Sequence, residues 1–335
     1  MRRITIFWLS LCLALCTVAV TQPVSAGAAK ESCGWRTLAP VAGGPRQEHG
    51  VVALSGKIYV IAGVNPTNTG GVEVYDPAKN SWSEAAQLPL PMNHPNVAAV
   101  RGKIYVLGGL VGAGPWTAIG NVFEYDPRRD VWEEIARMPA GTERGSAAIG
   151  VRGTKIYLAG GLRSLTPGPG GFQDTVAMFS SYDVVRGTWE TLPDLPEARD
   201  HVGGAVVGGT FYALGGRANG VENVKDTVFA YSLSAGTWST RSPLPTPRGG
   251  VAAAVVGQTI YVMGGEGNPE PGSQGVYEDN EAFDTARDRW HVLASMPTPR
   301  HGTGAATVGS TIYVPGGAPQ TRLAPTDIHE AFKPC

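Results

Sequence analysis

Arginine is the first residue type whose spacing suggests chemistry. Arg46, Arg144, Arg199, Arg248 and Arg300 each stand thirteen residues before a tyrosine (Tyr59, Tyr157, Tyr212, Tyr261, Tyr313), and Met92 takes that place before Tyr105. A guanidinium offers a planar fork of donors that fits carboxylates and carbonyls. Five in register would suit an acidic or polyhydroxylated ligand, and the same forks would equally pair with groups inside each repeat. Four histidines lie close behind them: His49, His94, His201 and His301, with Glu48, Asn93, Glu143, Glu197 and Asp200 nearby. Three imidazoles meeting on an axis can hold a metal. Their offsets from the tyrosines are ten, eleven, eleven and twelve, so unlike projection is expected and no metal site is assigned. His291 and His329 fall on outer strands and are expected at the surface. Trp116, Phe172 and Tyr277 lie in long connections, where a flat ring beside polar groups suits stacking on a sugar face or anchoring a peptide. The run GGLVGAG at 108–114 has no helix after it and is no phosphate cradle.

The elements that position these residues are repeats. KIYVIAG at 57–63 returns as KIYVLGG at 103–109, KIYLAGG at 155–161, TFYALGG at 210–216, TIYVMGG at 259–265 and TIYVPGG at 311–317. Each is a short β run stopped by glycine, where φ > 0 or a close approach beneath an aromatic ring is expected. A second run follows (VEVYDP, NVFEYDP, SSYDV, FAYSL, EAFDT), then a tryptophan. Asp76 to Trp82, Asp126 to Trp132, Asp183 to Trp189, Ser232 to Trp238 and Asp284 to Trp290 are all six apart, which marks a turn of constant length between paired strands. The composition agrees with turn-rich β structure: 46 Gly, 26 Pro and only 16% charged residues. A formal net charge of −1 gives no basic surface for nucleic acid, and 42% hydrophobic residues with so little net charge argue against disorder.

Tyr, Gly-Gly, Tyr-Asp and Trp in this register resemble the kelch repeat, from Trp35 to Phe332. The resemblance implies an all-β, six-bladed propeller with four antiparallel strands per blade around a channel. The repeats fall at approximately 46–91, 92–143, 144–198, 199–247, 248–299 and 300–335, within a single propeller over 33–335. The sixth has its third strand at 328–332 and no tryptophan after it, so strand 35–38 is expected to complete the C-terminal blade and close the ring. Aligned on the repeat, Cys335 falls two residues after the Asp position and Cys33 four after it. The two thiols then flank one turn position, and a disulfide between them is expected as a lock on the seam.

Residues 1–26 read as a leader. Arg2 and Arg3 precede an apolar stretch at 4–20, and Val24-Ser25-Ala26 fits a small-x-small cleavage pattern. Secretion or export to a periplasm is expected, with cleavage near Ala26 and no membrane contact afterwards. The connections 64–71, 110–120, 162–175, 217–226, 266–279 and 318–326 are long and share one face, where binding concentrates on a rigid scaffold. Kelch propellers are most often interaction scaffolds. The expectation is a recognition module for a protein or carbohydrate, bound through Arg46, Arg144, Arg199, Arg248, Arg300, His49, Trp116 and Tyr277, with no cofactor. A closed ring offers no free sheet edge, so a monomer is expected. The alternative resembles the exported kelch epimerase of sialic acid: a sugar mutarotase or epimerase acting on an acidic sugar. Arg199 would hold the carboxylate there, and Glu197, Asp200 or His201 would move the proton.

Overall fold

A computed structural model describes Met1 and residues 32–168 and 171–335. All but Met1 of the expected leader lies outside the described residues. Cys33–Cys335 forms one compact unit. Its strands group into six blades. The first runs outward through Gly50–Leu54, Lys57–Ile61, Val72–Asp76 and Ser81–Glu84. The third, fourth and fifth repeat that order from Ala148–Arg152, Gly203–Val207 and Ala252–Val256. The β-branched and aromatic second strands, such as KIYVI, are buried on both faces between neighbouring blades. Ser55-Gly56 and Arg101-Gly102 both take positive φ and join first to second strands as tight hairpin turns. The innermost strands of successive blades lie side by side, and those of the first and sixth also meet, so the ring closes.

The N-terminal segment completes the sixth blade, as the repeat arithmetic requires. Gly34–Thr37 pairs antiparallel with His329–Lys333, with Trp35 opposite Phe332. The indole of Trp35 packs on Phe332 at 5.1 Å and donates to the Ala294 carbonyl at 2.8 Å. Trp82, Trp132, Trp238 and Trp290 likewise donate to carbonyls just beyond the outer strand of the preceding blade. Among the described residues the apolar core is therefore six clusters, each shared by two adjacent blades, and a seventh of Val64, Leu110, Trp116, Leu162 and Leu165. His329 is not a surface residue. It is fully buried across the seam, against Tyr75 at 4.5 Å and Trp82 at 5.2 Å, and burial pushes its imidazole down to about 3.

Two connections expected to be irregular are strands. The second blade extends past the others, through Lys103–Val111 and Trp116–Asp126. Leu162–Leu165 and Gln173–Thr175 add to its edge and make a six-stranded sheet.

The repeated arginines are clamps inside the blades. Arg144, Arg199, Arg248 and Arg300 are fully buried and Arg46 nearly so. Arg248 donates to the carbonyls of Gly264 (2.7 Å), Thr246 (2.8 Å) and Val262 (3.1 Å) and to Glu281 Oε2 (2.7 Å), all within its own blade. Arg46 and Arg300 meet Glu73 and Glu330 in the same way. Arg144 uses Ser180 Oγ (2.8 Å), and burial without a paired carboxylate pushes it down to about 10. The glycine pairs serve the backbone of these arginines and not an aromatic ring. A Cβ on Gly160 or Gly264 would lie 2.3 Å from the Arg199 or Arg300 carbonyl, at φ near 68° and 60°.

Two stability measurements test this account. Trp35→Ala is expected to lower the unfolding free energy by about 3 kcal/mol in urea titrations; an unchanged midpoint would mean that the seam does not depend on this strand. Arg248→Met is expected to cost about 3–5 kcal/mol, because Glu281 stays buried without its partner, and Arg248→Met/Glu281→Leu to recover much of that loss.

Candidate functional site

Two residues beyond each clamp position, the chain reaches the mouth of the channel. The six residues there are Glu48, His94, Ser146, His201, Gly250 and Gly302, and all are left-handed, with φ between 50° and 63°. Their backbones form a closed circle of hydrogen bonds. His94 N donates to Glu48 O, Ser146 N to His94 O, His201 N to Ser146 O, Gly250 N to His201 O, Gly302 N to Gly250 O, and Glu48 N to Gly302 O, at 2.6–3.2 Å. Left-handed backbone is comfortable for glycine and strained for side chains with a Cβ. Three of the six positions nevertheless carry Glu or His, and these three converge.

Their side chains meet at the neck between the channel and a cleft of about 1090 Å³ on the long-loop face. His94 Nε2 lies 3.0 Å from His201 Nε2 and 3.1 Å from Glu48 Oε2. His201 Nδ1 meets Asp200 Oδ1 at 2.6 Å, and His94 Nδ1 meets Asn93 Oδ1 at 2.5 Å. Arg217 bridges Asp200, Glu266 and His201 Nε2, and His301 Nδ1 is 3.4 Å from Glu266. Arg217 and Glu266 occupy the place after the glycine pair that is held by Val64, Leu110, Leu162 and Ala318 in the other repeats. Trp116 and Tyr277 stand in the cleft walls, the indole 5.9 Å from the His94 ring and the phenol donating to Gly267 O at 3.2 Å.

The electrostatics of this floor follow from its burial. Burial alone would raise Glu48, but the coulombic pull of His94, His201, His301 and Arg217 overrides it and holds the carboxyl at about 2. Burial pushes the His94 imidazole down to about 4. Burial would likewise raise Asp200 and Glu266, yet His201 and Arg217 keep the first low, and Arg217 and His301 the second. Glu48, Asp200 and Glu266 are thus carboxylates facing one permanent cation, Arg217, and the floor carries two net negative charges when its imidazoles are neutral. Such a floor can take a proton from a bound hydroxyl, hold hydroxyls as an acceptor, or bind a cation: one donor atom each from Glu48, His94 and His201 lie within 4.8 Å of one another.

Of the residues singled out in the sequence, Glu48, His94, Trp116, His201, Tyr277 and His301 line the cleft, with Asp200 behind His201. None of Arg46, Arg144, Arg199, Arg248 and Arg300 does, because each is spent inside its blade. The cluster of Arg199, Glu197, Asp200 and His201 therefore divides: Arg199 pairs with an exposed Glu197 at 2.7 Å on the blade side, and only Asp200 and His201 reach the floor. His49 lines the channel instead, bonded to Pro315 O and Thr303, and burial pushes it down to about 3. The expectation that the histidines would not converge fails for His94 and His201, which share the offset of eleven. Glu48 has that same offset, as do Ser146, Gly250 and Gly302. Comparing all residue types at one offset, instead of histidines alone, would have found the triad; Arg217 and Glu266 were legible as charges at an otherwise apolar repeat position.

The Kelch motif matches residues 45–89 and 91–139, and the KLHDC2/KLHL20/DRC7 Kelch-repeats domain matches residues 168–317. The Kelch-like protein terF of Aspergillus terreus is 40% identical over 298 residues, covering 87% of this chain, and the chain spans 65% of that protein's length. An N-acetylneuraminate epimerase of Yersinia enterocolitica is 38% identical over 65 residues, 17% of each protein. Among solved structures, one titled "Structure of YjhT" superposes with a TM-score of 0.72 at 16% identity, covering 87% of this chain and 95% of that one, which is a likeness of fold. With six blades around a closed ring, the clamped repeats and these matches, the chain belongs to the kelch-repeat β-propeller family.

Proposed function

We propose that this propeller is an exported recognition module that takes a polyhydroxylated ligand, a glycan, into the cleft over its long-loop face. The observation that carries the proposal is the recessed cleft itself, about 1090 Å³, walled by Trp116 and Tyr277 with Asn219, Asn223 and Asn268 around the rim. A volume near that of small-molecule sites, an aromatic face and convergent polar groups suit sugar rings. A protein would dock more naturally on a flatter patch, and it remains the partner if sugars fail. The floor's negative charge favours neutral sugars over acidic ones.

A second function, epimerisation or mutarotation, is favoured by one contact: His94 Nε2 and Glu48 Oε2, 3.1 Å apart, are two bases, either of which could take a proton from a sugar hydroxyl and return it to the ring oxygen. The partial likeness to an N-acetylneuraminate epimerase points the same way. Saturation-transfer NMR of the protein with a sugar panel, sialic acid included, separates the two. Transfer to a sugar without faster anomer exchange, lost in Trp116→Ala, is the expected outcome. Accelerated anomer exchange that vanishes in Glu48→Gln would replace the binding module with an enzyme. Silence from every sugar would sink the glycan proposal.

Export rests on the basic start, apolar stretch and cleavage pattern of residues 2–26. Cys33 and Cys335 are exposed thiols at the seam, and a hydrogen bond to Cys33 raises the Cys335 thiol. In an oxidising compartment they would join as a disulfide. Mass spectrometry of exported, non-reduced protein is expected to find the linked peptides; two alkylatable thiols would refute the lock.

A further inference from the structure

The neck of the cleft gathers more hydrogen-bond acceptors than donors, and a chain of amides shows which atoms they are. Asn68 Nδ2 donates to the Gly112 carbonyl at 3.1 Å, which leaves Asn68 Oδ1 to accept from Asn93 Nδ2 at 2.6 Å. Asn93 Oδ1 is then an acceptor, so the His94 Nδ1 that meets it carries the proton. On His201 the Asp200 carboxylate demands the same. In the tautomer with Nδ1 protonated on both rings, the two Nε2 atoms face each other as acceptors at 3.0 Å, beside a carboxylate oxygen. Arg217 Nη2 donates to His201 Nε2 at 3.1 Å. Between His94 Nε2 and Glu48 Oε2 there is then no proton to share.

We propose that Glu48, His94 and His201 form a binding site for a divalent transition-metal ion, zinc foremost, at the neck between channel and cleft. The distances suit it. Nε2 of His94, Nε2 of His201 and Oε2 of Glu48 form a triangle of sides 3.0, 3.1 and 4.0 Å. The point equidistant from its corners lies inside it, about 2.0 Å from each, which is the bond length of zinc to imidazole nitrogen and carboxylate oxygen; a tetrahedral ion stands out of that plane once Glu48 Oε2 closes on His201 Nε2 to about 3.3 Å. The outer nitrogens are also held as metal-bound histidines require, His201 by a carboxylate and His94 by an amide oxygen. A divalent ion would cancel the floor's charge, which is three carboxylates against Arg217. Two His and one Glu leave further coordination positions, and these would open to the cleft.

Arg217 is the competitor, since its Nη2 and the ion would share one lone pair. Its bonds to Asp200 and Glu266 give the guanidinium a place once the ion is seated. Protonation of two histidines would balance the same charge, and the experiment must separate protons from metal.

The untagged chain, with its thiols alkylated so that cysteine cannot bind metal, is stripped with a chelator and titrated calorimetrically with ZnCl₂. Bound metal is then counted by elemental mass spectrometry. One zinc per chain is expected. His94→Gln and Glu48→Gln should each weaken binding at least tenfold, Asn93→Ala by about 10–100-fold because His94 Nδ1 loses the oxygen that orients the ring, and His291→Gln, on the exposed outer strand, not at all. The unaltered protein supplies a second readout should a ring variant misfold: Co²⁺ in its place should show the visible bands of a four- or five-coordinate ion. Absence of stoichiometric zinc, a faint six-coordinate cobalt spectrum, or an affinity unmoved in folded His94→Gln would overturn the proposal and leave protons as the balancing charge. No sugar is present in these assays, so their outcome is independent of the ligand proposed for the cleft.

Discussion

Six peptide groups, one from each blade, hydrogen-bond in a circle at the mouth of the channel, and the geometry of the functional face depends on that circle. A strand ladder cannot bend tightly enough to run around an axis, so each residue turns left-handed to donate backward and accept forward. Glycine meets that demand without strain at 250 and 302. Glutamate or histidine at 48, 94 and 201 costs of order 1–3 kcal/mol each, and such residues persist where the surroundings over-determine them. The same turn that strains them also aims their side chains at the axis. Three charged or basic groups are thereby brought to within hydrogen-bonding distance from three different blades, across sequence separations of 46 and 107 residues.

The arginines hold each arm of the circle in register. A guanidinium bonded to its own blade's carbonyls fixes the chain two residues before the ring position, and the arginine's backbone carbonyl accepts from the second glycine amide of the preceding blade, as Arg199 O does from Gly161 N at 2.7 Å. What the guanidinium meets varies with the third strand. Glu73, Glu281 and Glu330 supply carboxylates and Ser180 a hydroxyl; Phe229 offers a ring face, and Glu197 then supplies the charge from outside. In the second blade the equivalent residue is Phe123, and the clamp is Met92, packed in one apolar cluster with it. Arginine and its partner change together because an unpaired buried guanidinium would be costly.

Most of the fold could be read in the chain because repetition converts weak local signals into a strong joint one. A single Gly-Gly or Trp says little, whereas six in register specify blades, strand order and a ring closed through Trp35. The site was less legible for a definite reason. Its members are scattered over four repeats and differ in residue type, so no local motif joins them; only their shared position relative to the tyrosine does. The arginines misled for the converse reason. Their regularity marks a demand common to all blades, and a ligand site on a pseudo-symmetric ring is built where the repeats depart from one another. His329 was missed for a different reason: it stands on the third strand, where its equivalents Val72, Val122, Phe179, Val228 and Asn280 are all buried against a neighbouring blade, and a polar residue there does not signal exposure.

Charge couples the cleft's two open questions. Buried Asp200 and Glu266 and the part-buried Glu48, against one arginine, make a floor that repels a sugar acid, and the permanent cation of that floor, Arg217, is already held by Asp200 and Glu266. In the metal-free state that floor can accept hydroxyls and amides but not a carboxylate, and the exposed Arg322 of the cleft lining is a cation outside it. A divalent ion at Glu48, His94 and His201 brings the floor to neutrality and presents a Lewis acid towards the cleft, which reverses that preference. It also removes the lone pairs of His94 and His201 from acid–base work, since a metal-bound nitrogen cannot take a proton. The same three residues therefore favour general acid–base chemistry on a neutral sugar when empty and carboxylate or hydroxyl coordination when loaded. The discriminating property is the ion content of the protein, and it must be known before any ligand profile of this cleft can be interpreted.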